Sequence, residues 1–193
     1  MTDYVREALF FANKLTPRFE RTDVPALLES VRELTAPRAT ERGVKVAIAP
    51  GGSAALTSDT VLIQRLLGNL VNNAIDASGT GQIVTLRCTE AEPGRARFEI
   101  VDDGGGIPPE NLGRIFEPYF TTKQFGDDVR GFGLGLTICE KIASLHQGTI
   151  HVRSEPGRGT TVTVELPSAP PYWTPSGARL TPPPRTGGIR PAP

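Results

Sequence analysis

The segment at residues 131–136, Gly-Phe-Gly-Leu-Gly-Leu, constrains the fold of this chain more than any other stretch. Three glycines at every second position run into an apolar helical pattern that includes Leu134, Ile138 and Ile142. Glycine allows positive φ and a close approach of the backbone, and a helix start offers unpaired N–H groups at the positive end of its dipole. Together they predict a cradle for phosphate, although a glycine-rich loop often does no more than turn the chain.

Composition sets the size of the domain and narrows its partners. The chain has 193 residues, 38% hydrophobic content and no formal net charge, which is enough for one core and gives no electrostatic reason to expect nucleic acid. No apolar run is long enough to span a bilayer, and the first residues lack a secretory pattern. The isolated cysteines, Cys88 and Cys139, are typical of buried, reduced packing residues. We therefore expect a cytoplasmic protein without a membrane segment.

Hydrophobic periodicity predicts helices and hairpin-like strand pairs along the chain. The predicted helices are at 3–15, from Asp23 to at least Leu34, from Ser58 or Asp59 to Ala77, and at 133–146. The predicted strands are at 44–48, 83–88, 97–101, 149–153 and 161–166. This order favours an α+β fold, a two-layer α/β sandwich with helices on one face of a sheet. A Rossmann domain is disfavoured, because the glycines follow a charged loop and not a strand.

A stripe of polar side chains marks the helix that is predicted to end at Ala77. Asn69, Asn73 and Asp76 are spaced by four and three residues, so they share one side of that helix. A solvated face is one interpretation. However, asparagine is a poor helix former, and its amide oxygen is a hard ligand suited to Mg²⁺. The stripe therefore predicts either a solvent-exposed face or a magnesium-assisted binding site.

An acidic pair followed by glycines comes directly after a predicted strand. Asp102 and Asp103 precede the glycines at 104–106, and a simple turn would use the same residue types. Alternatively, a carboxylate held at a strand end can accept a hydrogen bond from an exocyclic amine such as that of adenine. Lys123 or Arg130 could then supply a positive charge for phosphates, although each could equally be an ordinary solvated charge.

These motifs, in this order, resemble the ATP-binding domain of sensor histidine kinases, which belongs to the group shared with gyrase, the Hsp90 chaperones and the MutL repair proteins. The segments that carry the resemblance are 69–74, 102–107, 115–123, 131–136 and 154–161. The resemblance covers roughly residues 20–167. Because five motifs follow one another in the family's order, the match is far more specific than any single motif.

The resemblance implies a Bergerat-type fold, with a mixed sheet and ATP bound on its helical side. Asn73 would hold Mg²⁺ with Asn69 nearby, and Asp102 would bind the adenine amino group with the help of Thr160. The first glycine motif would shape the adenine pocket, the second would meet the phosphates, and residues 116–131 would form a lid. The other expected nucleotide-binding residues are Asp76, Gly104, Gly106, Ile107, Lys123, Arg130, Gly131, Gly133, Leu134, Gly135 and Leu136.

The resemblance also implies a protein-histidine kinase reaction. The γ-phosphate of ATP would pass to a histidine on a separate dimerisation domain, with a response regulator as the downstream partner. Gyrase and MutL carry Glu where this chain has Asn69, and an amide cannot act as the base for a hydrolytic water. Phosphotransfer is therefore favoured over hydrolysis. Asp76 departs from many sensor kinases, which have a basic or aromatic residue there, and the sequence leaves its role open.

The resemblance divides the chain into three parts. Residues 1–16 are interpreted as the remnant of a dimerisation helix, residues 17–167 as the catalytic ATP-binding domain and residues 168–193, with eight prolines, as a disordered tail. Neither His146 nor His151 lies in a phosphoacceptor motif, so the acceptor would come in trans or from a missing segment in cis. The alternative is an ATP-gated interaction module, similar to an anti-sigma regulator, that performs no histidine phosphotransfer.

Overall fold

The computed structural model describes residues 15–51, 55–121 and 133–169. Its strands are β1 (Glu20–Thr22), β2 (Lys45–Ile48), β3 (Leu56–Ser58), β4 (Ile83–Glu92), β5 (Arg95–Asp102), β6 (Thr149–Glu155) and β7 (Gly159–Pro167). Its helices are α1 (Val24–Arg42), α2 (Thr60–Ala77), α3 (Pro109–Leu112) and α4 (Gly135–Leu145). Of the helices in this described part of the chain, none is both long and apolar enough to cross a membrane.

Five strands form a mixed sheet in the order β2-β4-β5-β7-β6. β2 runs parallel to β4, with Lys45 opposite Ile83, and the other neighbours pair antiparallel. β1 and β3 form a separate antiparallel ribbon, with Glu20 opposite Ser58. The apolar sides of α1, α2 and α4 join the inner face of the sheet in one hydrophobic core. The predicted α+β, two-layer sandwich with a mixed sheet is therefore confirmed.

The alternating side chains of strand β5 distinguish the face of the sheet that the helices cover from the face that they leave open. Ala96, Phe98 and Ile100 are buried in the core, whereas the residues between them remain partly accessible. On the uncovered face, Arg97 forms an ion pair with Glu165 of β7 at 2.6 Å. Alternation with a period of two places the apolar side chains under the helices and the charged pairs on the solvent side.

The ends of the long helices follow from their capping residues. The side chains of Asp23 and Asp59 each accept a backbone N–H from the first turn, at 3.1 Å in α1 and 3.0 Å in α2. The cap of α2 is therefore Asp59 and not Ser58. α1 continues through Pro37 to Arg42 and is followed by the C-cap Gly43, whose φ of 65° is left-handed. It therefore extends to Arg42, beyond Leu34, the last apolar position of the sequence pattern.

Several element boundaries differ from the sequence-based expectation. β4 and β5 extend to a tight connection at Pro93 and Gly94, and β1 and β3 were not predicted, because three-residue strands carry no measurable periodicity. Ser168, which the sequence assigned to the tail, donates its N–H to the carbonyl of Gly94 at 2.8 Å and accepts the N–H of Thr57 at 2.7 Å. The expected helix before residue 15 and the rest of the expected tail, from residue 170, lie outside the described residues.

Candidate functional site

A cavity of about 460 Å³ opens between α2, the loop after β5, the start of α4 and the strands β6 and β7. The residues expected from the sequence that line it are Asn69, Asn73, Asp76, Asp102, Gly106, Ile107, Gly133, Gly135, Leu136 and Thr160. Residues from separate sequence motifs therefore meet at one concave site, which is the usual arrangement of a ligand pocket.

The polar stripe of α2 forms one wall of the cavity. Asn69, Asn73 and Asp76 line it, with Asn72 beside them. Within the described residues, the buried atoms Asn69 Nδ2 and Asn72 Oδ1 have no hydrogen-bond partner. An unpaired buried polar atom is costly, and these two can be satisfied by a ligand in the cavity. This observation favours the binding interpretation of the stripe over the solvated face.

Asp102 stands at the end of β5, on a second wall of the cavity. It is 4% exposed, and its Oδ1 accepts the backbone N–H of Gly104 at 3.0 Å. Burial raises the pKa of this carboxyl, while hydrogen bonds from the backbones of Gly104 and Thr160 act in the opposite direction. Asp103 is exposed, so only the first acid of the pair belongs to the site.

The glycines after β5 are required by close approaches of the backbone. A Cβ on Gly104 would collide with the carbonyl of Ala77, which also accepts the N–H of Gly105 at 3.2 Å. A Cβ on Gly106, whose φ is +71°, would collide with the carbonyl of Glu155. The loop is thus fixed between the end of α2 and the end of β6. Gly104 acts there as a structural residue and does not line the cavity.

The glycine-led helix, α4, contributes its first turn to the cavity. Gly133 has a φ of +68°, and its carbonyl accepts the N–H of Tyr119 at 3.0 Å. Gly135 and Leu136 line the cavity, whereas the side chain of Leu134 is buried in the hydrophobic core at 1% exposure. Only the backbone of Leu134 is therefore left for a ligand.

Some expected site residues cannot be placed. Gly131, Lys123 and Arg130 lie outside the described residues, as does the part of the expected lid from residue 122 onwards. Their expected roles at the phosphates remain predictions from the sequence.

Other lining residues had no assigned role in the sequence. They include Arg38, Asn72 and Asn111, whereas Phe120 and Thr121, which also line the cavity, belong to the described start of the expected lid. Asn72 could have been noticed as a third amide next to Asn73, but Arg38 could not, because α1 meets the cavity only through tertiary packing. The guanidinium of Arg38 binds the carboxylate of Asp76 in a bidentate ion pair, with Nε to Oδ1 and Nη2 to Oδ2 both at 2.7 Å.

Comparisons with known proteins identify relatives of this chain. The family described as "Histidine kinase-, DNA gyrase B-, and HSP90-like ATPase" matches residues 58–170. The C4-dicarboxylate transport sensor protein DctS of Rhodobacter capsulatus is 32% identical over 84% of this chain and 25% of DctS. Full-length ShkA, solved in complex with AMPPNP, has a TM-score of 0.73 at 30% identity, over 86% of this chain and 34% of that chain. The histidine kinase ThkA, solved with the response regulator protein TrrA, has a TM-score of 0.71 at 25% identity, over 87% of this chain and 47% of that chain.

The fold is that of an ATPase domain. The chain belongs to the family of histidine kinase-, DNA gyrase B- and HSP90-like ATPases, and the expected relationship to the catalytic domains of sensor histidine kinases is confirmed. It spans 25% of DctS and 34% of the ShkA chain. The shared region is therefore one part of these longer relatives.

Proposed function

We propose that the cavity binds ATP together with Mg²⁺ and that the chain transfers the γ-phosphate to a histidine on a dimerisation domain. The observation that carries this proposal is the convergence, in one cavity, of the amide stripe of α2, the buried carboxylate of Asp102 and the first turn of α4. The solved complex of the similar ShkA with AMPPNP supports an adenine nucleotide as the ligand.

Asp102 is proposed to bind the adenine amino group. Its carboxylate is buried and oriented by the N–H of Gly104, so it can accept a hydrogen bond from the ligand without first being ordered. Thr160 lines the same part of the cavity, and its hydroxyl lies 2.9 Å from that of Ser154. Ser154 in turn accepts the N–H of Ile107 at 2.8 Å. This network fixes the walls against which a flat base would lie.

The amides of α2 fit a magnesium ion. Mg²⁺ prefers hard oxygen ligands and usually keeps waters and substrate phosphates in its coordination shell. Asn73 would hold it through the amide oxygen with Asn69 nearby, and Asn72, whose Oδ1 is buried without a hydrogen-bond partner, lies on the same wall. When bound, the ion would neutralise phosphate charge. Among the described residues, no group of three or more acidic, histidine or cysteine side chains offers a competing metal site.

The carboxylates of the cavity support phosphotransfer over hydrolysis. In the described lining, the acids are Asp76 and Asp102. Asp76 is neutralised by Arg38, and Asp102 is held by the backbone of its own loop. Asn69 cannot serve as a general base, because an amide has no proton-accepting group of suitable basicity. The described site therefore positions a nucleotide and leaves the nucleophile to a partner.

The proposed partners are a histidine-containing dimerisation domain, in cis or in trans, and a response regulator downstream. The complex of the similar ThkA with TrrA supports the second of these. We also propose a cytoplasmic setting, which Cys88 and Cys139 support, because both are buried and do not form a disulfide with each other.

Titration calorimetry with AMPPNP, with and without Mg²⁺, tests the binding step. We expect saturable binding that depends on Mg²⁺. A folded sample that shows no heat of binding in either condition would overturn the proposed nucleotide site.

Incubation with γ-labelled ATP and a purified histidine-containing dimerisation domain, supplied in trans, tests the transfer step. We expect acid-labile label on the added domain, as for phosphohistidine, and none on the chain alone. ATP-dependent association without label would instead favour the interaction module.

A further inference from the structure

An ion pair between α1 and α2 forms part of the cavity wall. Arg38 of α1 lies with its Nε and Nη2 atoms each 2.7 Å from a carboxylate oxygen of Asp76 on α2. The side chain of Asp76 is 5% exposed and that of Arg38 is 23% exposed. Both residues line the cavity. Because Arg38 is the more exposed of the two, the cation is the more accessible partner of the pair.

The pair lies between the two ends of the proposed nucleotide site. Asp76 follows Asn73 by three residues, which places it about one helical turn further along the same wall. It directly precedes Ala77, whose carbonyl accepts the N–H of Gly105 in the loop after Asp102. A ligand that reaches from Asp102 to the amide stripe therefore passes the pair.

The charge of the cavity makes Arg38 important for an anionic ligand. Arg38 is the only lysine or arginine among the described lining residues. A buried carboxylate such as that of Asp76 would repel a polyphosphate, and the guanidinium cancels this charge. The bidentate contact uses Nε and Nη2 and leaves the Nη1 donors outside the ion pair.

We propose that Arg38 is a nucleotide-binding residue, which donates from Nη1 to a phosphate of ATP, and that Asp76 is the positioning residue that fixes its guanidinium. An arginine already held by a carboxylate loses little further side-chain entropy when it binds a phosphate. This inference rests on the proposed function, because it requires the cavity to hold a nucleotide.

A purely structural role for the pair makes a different prediction. If Arg38 only ties α1 to α2, its loss would loosen the whole wall and would weaken every ligand to a similar degree. If Arg38 contacts a phosphate, its loss weakens the ligands that carry that phosphate and leaves adenosine nearly unchanged. Adenosine, ADP and AMPPNP therefore separate the two roles.

The experiment measures the affinities of these three ligands for wild type, Arg38→Gln and Arg32→Gln by calorimetry. Arg32 is the matched control, because it lies on the same helix, is half exposed and pairs with Glu29 away from the cavity. In Arg38→Gln we expect AMPPNP to bind about tenfold more weakly or worse, since hydrogen bonds to charged groups are among the strongest. Adenosine should change by no more than about twofold, and Arg32→Gln should match wild type.

A second variant tests the inference even if Arg38→Gln fails to fold. Removing only Arg38 leaves a buried carboxylate unpaired, whereas the double variant Arg38→Gln, Asp76→Asn removes both charges together. The double variant should still bind adenosine normally and lose affinity for AMPPNP.

Three results would overturn the inference. Equal weakening of all three ligands in the double variant would show that the pair is structural. Wild-type affinity for AMPPNP in the double variant would show that Arg38 does not touch the phosphates, while leaving the proposed nucleotide site intact. Failure of wild type itself to bind AMPPNP would remove both the proposed function and this inference.

Discussion

His146 Nε2 accepts the backbone N–H of Asp59 at 3.1 Å, and this bond joins the end of α4 to the start of α2. The Nδ1 atom of the same ring lies 2.8 Å from the carbonyl of Ile142, so the neutral tautomer with its proton on Nδ1 satisfies both partners. The ring is 3% exposed and makes an edge contact with Phe19 at 5.2 Å between centroids. The two helices that supply the cavity are thus linked by one neutral imidazole.

The first prediction concerns the pH dependence of stability. Burial lowers the pKa of His146. The hydrogen bond to the Ile142 carbonyl and the charge of Asp59 raise it, but by less than burial lowers it. When pH falls below the ordinary histidine pKa of about 6.5, the unfolded chain takes up a proton before the folded chain does. The free energy of unfolding contributed by this residue therefore decreases as the solution becomes more acidic.

Urea unfolding of wild type, His146→Ala and His151→Ala at pH 7.5 and pH 5.5 checks this prediction. At pH 7.5 the loss of His146 should cost about 1–3 kcal/mol, because buried hydrogen bonds are lost. At pH 5.5 the difference in free energy of unfolding between wild type and His146→Ala should be smaller. His151 is exposed on β6, so its replacement should change stability by less than about 0.5 kcal/mol at both pH values. If the difference in free energy of unfolding between wild type and His146→Ala is the same at both pH values, the lowered pKa of His146 is contradicted.

The second prediction assigns adenine recognition to Asp102. Replacement by Asn keeps the shape and the bond from Gly104 but removes the charge that strengthens a hydrogen bond to an amine. We expect the preference for ATP over GTP to fall about tenfold or more. Competition calorimetry measures this ratio, with the exposed neighbour variant Asp103→Asn as the control.

The same carboxyl gives a pH readout for this assignment. Its pKa is raised chiefly by burial, so protonation begins at a higher pH than for an ordinary aspartate. ATP affinity should consequently weaken as pH falls in wild type and in Asp103→Asn, and less so in Asp102→Asn. Parallel pH profiles for all three proteins would argue against adenine recognition by Asp102.

The third prediction assigns the metal to Asn73. In Asn73→Ala the affinity for AMPPNP should no longer increase when Mg²⁺ is added, because the amide oxygen that would hold the ion is gone. The control is Val61→Ala on the same helix, because Val61 is exposed and is not among the residues that line the cavity. If Asn73→Ala retains the full effect of Mg²⁺, then the ion is held elsewhere.

The candidate site could largely be predicted where its residues depend on short-range spacing. Asn69, Asn73 and Asp76 meet because positions three and four apart share one side of a helix. Asp102 could be found because it joins a strand to a glycine loop within a few residues. Such patterns are local, so the sequence alone displays them.

The parts that could not be predicted depend on tertiary packing. Arg38 reaches the cavity only because α1 packs beside α2, and it pairs with a residue 38 positions later. The side chain of Leu134 turns into the core although its neighbours line the cavity. Ser168 joins the domain through two backbone hydrogen bonds, which no pattern of side chains in the sequence indicates. Periodicity carries no information on any of these contacts.

The fourth prediction contrasts two adjacent glycines in the loop after β5. Gly106 has positive φ, and an added Cβ would collide with the carbonyl of Glu155, whereas a Cβ on Gly105 would meet nothing within 4 Å. Gly106→Ala should therefore destabilise the fold by about 1–3 kcal/mol and also weaken nucleotide binding, because the loop carries the residues beside Asp102. Gly105→Ala should stay within about 0.5 kcal/mol of wild type. Urea unfolding of both variants tests the contrast, and equal stability would show that the loop is not fixed by its contact with β6.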